Sequence, residues 1–232
     1  MEINQEPIEQ LTKIRDLMER SSRFISLSGL SGVAAGIIAL IGSGIAFVYL
    51  DLDSRYFEIN GFRSLSIGFH YSHAWVFIIF DALIVLILAL LSGIYFTTRK
   101  ARSRGLKVWD STARRMVINL SIPLVAGGIF CLVLLHHHLV FLLAPVTLLF
   151  YGLALINASK YTYREIRILG LSEIILGLVA SWLVGYALIF WAVGFGALHI
   201  LYGTMMYYRY EGGTGDEGQG TRDKGRGTRD KG

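Results

Sequence analysis

From Met116 to Ser159 the chain carries no Lys, Arg, Asp or Glu. A segment that long without a charge offers no solvated face, and lipid is the environment that accepts it. The rest of the composition agrees. Of the 232 residues 53% are hydrophobic and 17% charged, with a mean hydropathy of +0.52, too apolar for an ordinary soluble domain. Such charge as exists is bunched, with seven of the 22 Lys and Arg falling within residues 97–115. The formal net charge of +5 therefore reads as a topology signal, and no nucleic-acid partner is expected.

A spanning helix needs about 20 mostly apolar residues to cross roughly 30 Å of hydrocarbon. Six such segments can be drawn: residues 25–49, 74–96, 116–136 and 139–158, and two more within 168–207. The last run holds 40 residues, which is ~60 Å of helix, so a turn is placed near Gly185 and Tyr186. With a cytoplasmic N-terminus, the inner segments before the tail hold 14 basic residues. These are Lys13, Arg15, Arg20 and Arg23, the seven of 97–115, and Lys160, Arg164 and Arg167; the outer loops hold only Arg55 and Arg63. The positive-inside rule then puts both termini in the cytoplasm. Tyr49, Trp75, Trp182 and Tyr186 fall at the outer interface in this frame, and Tyr95, Tyr161, Tyr207 and Tyr208 at the inner one. The N-terminus lacks the basic start, short apolar core and cleavage site of a signal peptide, so the first span is expected to remain in the mature protein.

Three parts follow: residues 1–24, a six-helix membrane domain at 25–210, and a tail at 211–232. Residues 7–20 place Ile8, Leu11, Ile14, Leu17 and Met18 at helical spacing opposite Gln10, Lys13 and Arg20. This reads either as an amphipathic helix on the inner membrane surface or as a cytoplasmic extension of the first span. The tail, EGGTGDEGQGTRDKGRGTRDKG, has eight glycines, five acidic and five basic residues and no large apolar one. Disorder is expected, with room for a short docking tag for a protein partner at the cytoplasmic face.

Three entrances are alike without gaps: RFISLSGLSGVAAGIIAL at 23, RMVINLSIPLVAGGIFCL at 115 and REIRILGLSEIILGLVAS at 164. The first agrees with the second at six of 18 positions and with the third at seven, and the second agrees with the third at three. Each sets an arginine thirteen residues before a glycine: Arg23 and Gly36, Arg115 and Gly128, Arg164 and Gly177. The fold expected is thus all-α, three inside-out-inside hairpins with a parallel internal repeat. In the first span Ser28, Gly32 and Gly36 open a helical stripe of small residues, the surface that lets membrane helices approach closely. Gly128 and Gly177 are the corresponding packing positions.

Polar groups inside the spans mark the candidates for function. Asp81, Glu173 and His199 lie in otherwise apolar runs, where a charge costs on the order of 3 kcal/mol. Each must face protein or water, or be neutral and hydrogen-bonded. Grouped in one path they would suit a proton- or ion-coupled transporter or channel. Five of the six histidines fall on the outer side: His70, His73, His136, His137 and His138. They are candidate metal ligands or pH sensors, although three consecutive side chains at a helix end fan apart. The single cysteine, Cys131, has no partner in the chain and suits a packing role.

Gly29-Leu30-Ser31-Gly32 resembles the GxSG motif of rhomboid intramembrane proteases, which have six spans and a catalytic histidine on the sixth, where His199 lies. The resemblance implies Ser31 as a nucleophile, with Glu173 and His199 at comparable depth, ~10 to 13 Å from the inner face. In that family, however, the serine sits on the fourth span and opens outward, whereas Ser31 is on the first and nearer the cytoplasm. The glycine pattern around the histidine is also missing from LHILYGTMM. No phosphate loop, HExxH or GxSxG elbow occurs, so neither a catalytic residue nor a cofactor is assigned. MERSSRFISLSGLSG, at 18–32, is similar to a group of uncharacterised multispan proteins of Bacteroidota-type bacteria, which implies a bacterial cytoplasmic membrane and no activity. The function expected is a non-catalytic sensor or an organiser of a protein partner, embedded in the lipid bilayer. Its oligomeric state is left open.

Overall fold

A computed structural model describes residues 27–59, 74–105 and 108–211. The expected N-terminal amphipathic helix, the tail beyond Glu211, and His70 and His73 all lie outside those residues. Everything described is helix or connection, with no strand. In chain order the helices are α1 (Gly29–Ile59), α2 (Ala74–Ser103), α3 (Ser111–His136), α4 (Leu143–Ala158) and α5 (Arg164–Trp182). A last composite rod follows, made of α6 (Ala187–Trp191), a π-helix (Ala192–Leu198) and α7 (His199–Tyr210). Short 3₁₀ turns at Val140–Leu142, Ser159–Tyr161 and Val184–Tyr186 join neighbours.

Five segments are long and apolar enough to cross a membrane: Gly29–Leu50, Val76–Ser103, Ser111–His136, Val140–Tyr161 and Val184–Tyr210. The chain thus has the make-up of a multi-pass membrane protein. The fifth expected span corresponds to α5, which is not among them. Its 19 residues carry Arg164, Glu165, Arg167 and Glu173, and these lower its apolarity. The 40-residue run turns at Val184–Tyr186, where Gly185 and Tyr186 had marked it. The second span continues past residue 96 to Ser103, so Arg99, Lys100 and Arg102 are helical and not in a loop.

The helices form a row, α2 against α1, α1 against the last rod, that rod against α5 and α4, and α4 against α3. Glycines set the closest approaches. A Cβ on Gly29 would lie 2.5 Å from Gly203 O, and one on Gly36 would lie 2.6 Å from Gly196 O and 2.9 Å from Ile200 N. On the other side of the bundle, a Cβ on Gly170 would lie 2.8 Å from Gly152 O, and one on Gly177 2.9 Å from both Pro145 O and Leu149 N. Backbone therefore rests on backbone at both joints, the contact that replaces hydrophobic drive in lipid.

Gly128 departs from the expectation. Nothing lies within 4 Å of where its Cβ would be; its neighbour Gly127 is the one against Phe150. The reason lies in the row: α3 meets α4 alone, and α2 and α3, though consecutive, are not packed along their length. Both outer helices present wide apolar faces, with Phe80, Ile87, Leu91 and Ile94 on α2 and Ile122, Val125, Ile129 and Leu132 on α3 all exposed. Such faces match lipid tails.

One end of the bundle is tied by polar groups. Glu211 accepts from Gly29 N at 2.6 Å and from the Ser28 hydroxyl at 3.3 Å, closing the start of α1. Lys100 reaches the same carboxylate at 3.2 Å and donates to Leu27 O at 2.6 Å. Arg104 donates to Tyr210 O at 3.0 Å. Buried Glu165 at the head of α5 takes Arg209 at 2.8 Å and the Tyr210 hydroxyl at 3.1 Å.

Candidate functional site

The apolar runs of α4, α5 and α7 bring three polar side chains together. Glu173 is wholly buried on α5. His199, the first residue of α7, is buried as well, and its Nδ1 lies 3.5 Å from Glu173 Oε1. Nδ1 is also 3.0 Å from Gly194 O, five residues back, while Nε2 is 2.8 Å from the hydroxyl of Tyr151 on α4. A carbonyl only accepts, so the hydrogen-bond network assigns the ring hydrogen to Nδ1, and Nε2 accepts from Tyr151.

The π-helix explains how the carboxyl fits. A residue wound in beyond the α-helical count displaces the backbone just before His199, and such bulges recur at functional sites. A side chain on Gly194 would collide with Glu173 Oε2 and sit 2.5 Å from Leu148 Cδ2. The missing Cβ is thus the space the carboxyl fills. Phe195, on the same rod, has its ring 4.9 Å from those of both Tyr151 and Trp191 and 5.9 Å from that of His199. These rings pack beside the cluster.

Neither oxygen of Glu173 has a hydrogen-bond partner. Buried polar atoms are nearly always satisfied, so this orphaned carboxyl sets the cluster apart as the candidate site. A carboxyl buried in this way can take up a proton without further room. One proton can be held here in two ways. It can sit on the Glu173 carboxyl beside a neutral imidazole, or at Nε2 with Tyr151 turned to accept, which sets an imidazolium against a carboxylate.

Of the three intramembrane candidates, the structure brings Glu173 and His199 together and leaves Asp81 apart. Asp81 Oδ2 lies 3.4 Å from the Cβ position of Gly42, at the α1–α2 contact. Ser31 is buried, and its hydroxyl donates to Ser28 O at 2.5 Å. Among the described residues no hydrogen bond joins it to Glu173 or His199. His136, His137 and His138 are exposed at the end of α3, the first two with rings edge to face at 5.1 Å and the third at φ +60°. Among the described residues no group of three or more His, Cys, Asp or Glu can hold a metal ion, so these three histidines do not converge on one.

Sequence reasoning did not single out Tyr151 or Gly194. Tyr151 stands in an uncharged run where an aromatic residue needs no explanation, and Gly194 belongs to WAVGFGALH, which reads as small-residue packing. The available signal was spacing: Trp191, Phe195 and His199 repeat at four residues along one helix face. No protein-family model, curated protein or solved structure matches the chain.

Proposed function

We propose that the chain is a multi-pass protein of a bacterial cytoplasmic membrane, with both termini in the cytoplasm. In this reading it is a non-catalytic, proton-responsive sensor that presents a protein partner with a changed cytoplasmic face. The observation that carries the reading is the orphaned, wholly buried carboxyl of Glu173 at 3.5 Å from His199. Among the described residues no other titratable or charged side chain faces the cluster: α4 contributes Leu148 and Tyr151, and the π-helix contributes the Gly194 carbonyl and Phe195. Moving a proton on or off this cluster alters the contacts of α7. The same rod carries Arg209 and Tyr210, which hold Glu165, and leads into Glu211, which closes α1.

Six spans in three hairpins complete the proposal. A helix of 19 residues is ~28 Å long, enough for α5 to cross the hydrocarbon, and its acidic residues Glu165 and Glu173 are buried against protein. The two glycine joints support a repeat. Gly29 and Gly36 of α1 correspond to Gly170 and Gly177 of α5 in the register of the aligned entrances, each pair 141 positions apart (170 less 29, 177 less 36). Their partners keep a single offset too: Gly203, Ile200 and Gly196 answer to Gly152, Leu149 and Pro145, each 51 apart (203 less 152, 196 less 145).

Infrared difference spectra of the protein in lipid nanodiscs, taken between two pH values, test the reading. A carboxyl C=O band that responds to pH and vanishes in Glu173→Gln is expected; identical spectra from wild type and variant would remove the proposal. The transporter alternative draws no support from Asp81, which lies at a separate contact, and proton flux into proteoliposomes would be needed to revive it.

A further inference from the structure

The last rod changes its winding over Ala192–Leu198, and His199 stands where that π-helix ends and α7 begins. The backbone N–H of His199 goes to Gly196 O, three residues back. Its ring reaches further, with Nδ1 3.0 Å from Gly194 O, five residues back, in a buried contact. The side chain thus fastens the first residue of α7 to a carbonyl inside the π-turn. Glycines fit that turn to its neighbours on both sides: a Cβ on Gly194 would collide with Glu173 Oε2 of α5, and one on Gly196 with Leu40 Cδ2 of α1.

Nδ1 carries one hydrogen and has two acceptors near it, Gly194 O at 3.0 Å and Glu173 Oε1 at 3.5 Å. While Glu173 is protonated, both acceptors are neutral and the nearer carbonyl holds the hydrogen. An ionised carboxylate is different, because a charge-assisted hydrogen bond is roughly twice as strong as a neutral one. A shift of about 0.5 Å brings the longer contact to ordinary hydrogen-bond length. Tyr151 of α4 meets the other ring nitrogen. Among the described residues, the remaining neighbours of the π-turn and of His199 bring no charge: Gly32, Gly36 and Leu40 from α1, Leu148 from α4, and Phe195 of the rod itself.

We propose that His199 is a positioning residue for the π-turn, its Nδ1 hydrogen passing from Gly194 O to Glu173 when that carboxyl loses its proton. The turn is fastened in the protonated state and released in the ionised one. A buried carbonyl left without a donor is unfavourable, so release drives the turn to rewind, starting at the first residue of α7. The inference rests on the proton-responsive reading and names the element that answers the proton.

Solid-state NMR of the full chain in lipid bilayers, with ¹³C at glycine carbonyls and ¹⁵N in histidine rings, tests it. Dipolar dephasing between the Gly194 carbonyl and His199 Nδ1 is expected at a pH where the infrared carboxyl band of Glu173 is present, and its loss is expected at a pH where that band has gone. Glu173→Gln, which does not ionise, should keep the dephasing at both pH values. His199→Phe should lack it at both, which assigns the signal; the wild-type comparison stands whether or not this variant folds. Dephasing that persists in the wild type after the carboxyl band has gone, or that Glu173→Gln still loses as pH rises, would overturn the proposal and leave the proton reading standing. A carboxyl band that never responds to pH would remove the proton reading, and the proposal with it.

Discussion

Three glycines that the sequence presents as equivalents should respond to alanine with opposite signs. At Gly36 a Cβ would meet Gly196 O at 2.6 Å, and at Gly177 it would meet Leu149 N and Pro145 O at 2.9 Å. Ordinary contact begins near 3.4 Å, so the helices must part by roughly half an ångström or more. The atoms in the way are backbone and cannot rotate aside. Forcing a methyl into such a contact costs about 1–3 kcal/mol, against a gain of about 1 kcal/mol from replacing glycine by alanine within a helix. Gly36→Ala, at the tighter contact, is therefore expected to lower stability by about 1–2 kcal/mol, and Gly177→Ala somewhat less. At Gly128 nothing is in the way, and Gly128→Ala keeps the propensity gain, stabilising by up to about 1 kcal/mol. Unfolding in mixed dodecylmaltoside and SDS micelles, followed by far-ultraviolet circular dichroism, measures all three on one scale. A Gly128→Ala variant as damaged as Gly36→Ala would refute the open space at Gly128. Gly36→Ala as tolerated as Gly128→Ala would refute the close joint.

Tyr151→Phe removes the donor to His199 Nε2 and should cost about 1–3 kcal/mol through an unsatisfied buried nitrogen, as measured in the same micelle titration. Glu173→Gln keeps shape and volume and takes no hydrogen bond away; its unfolding midpoint should stay within about 1 kcal/mol of the wild type. Glu211→Ala should destabilise by about 1–3 kcal/mol, since Gly29 N loses its acceptor and Lys100 its counter-charge. Adding Lys100→Met should recover part of that loss, which a double-mutant cycle would detect. Ser31→Ala is expected to change neither fold nor labelling by serine-directed fluorophosphonate probes, because the hydroxyl only serves Ser28 O.

How far the sequence was legible depends on what each kind of signal measures. Apolar length speaks to burial in lipid, and it located α1 to α4 and the last rod within a few residues. The fifth expected span, over α5, is not among the five helices apolar enough to cross, because hydropathy adds up residues without asking which way they face. Glu165 and Glu173 count against a membrane helix, yet both point into protein. Periodicity found the stripe of Ser28, Gly32 and Gly36, but a stripe has no address. That its partners are Gly196 and Gly203, more than 150 residues along the chain, depends on how the bundle closes.

The same limit governs the site. Glu173 and His199 stood out singly because ionisable groups are rare in such runs, and nothing in one dimension could join them or separate them from Asp81. Their meeting follows from geometry set elsewhere. The Gly152–Gly170 and Gly29–Gly203 contacts press α5 and the last rod inward from either side, and the π-helix then presents Gly194 where a carboxyl needs space. Small residues thus decide the polar chemistry at a distance. Widening a glycine joint is predicted to disturb the proton response of Glu173 as well as stability, even though Gly170 and Gly203 stand a helical turn away from Glu173 and His199. The pH-difference infrared spectrum of Gly203→Ala checks this. A carboxyl band identical to that of the wild type, in a variant shown to be destabilised, would mean that the joint and the site are independent.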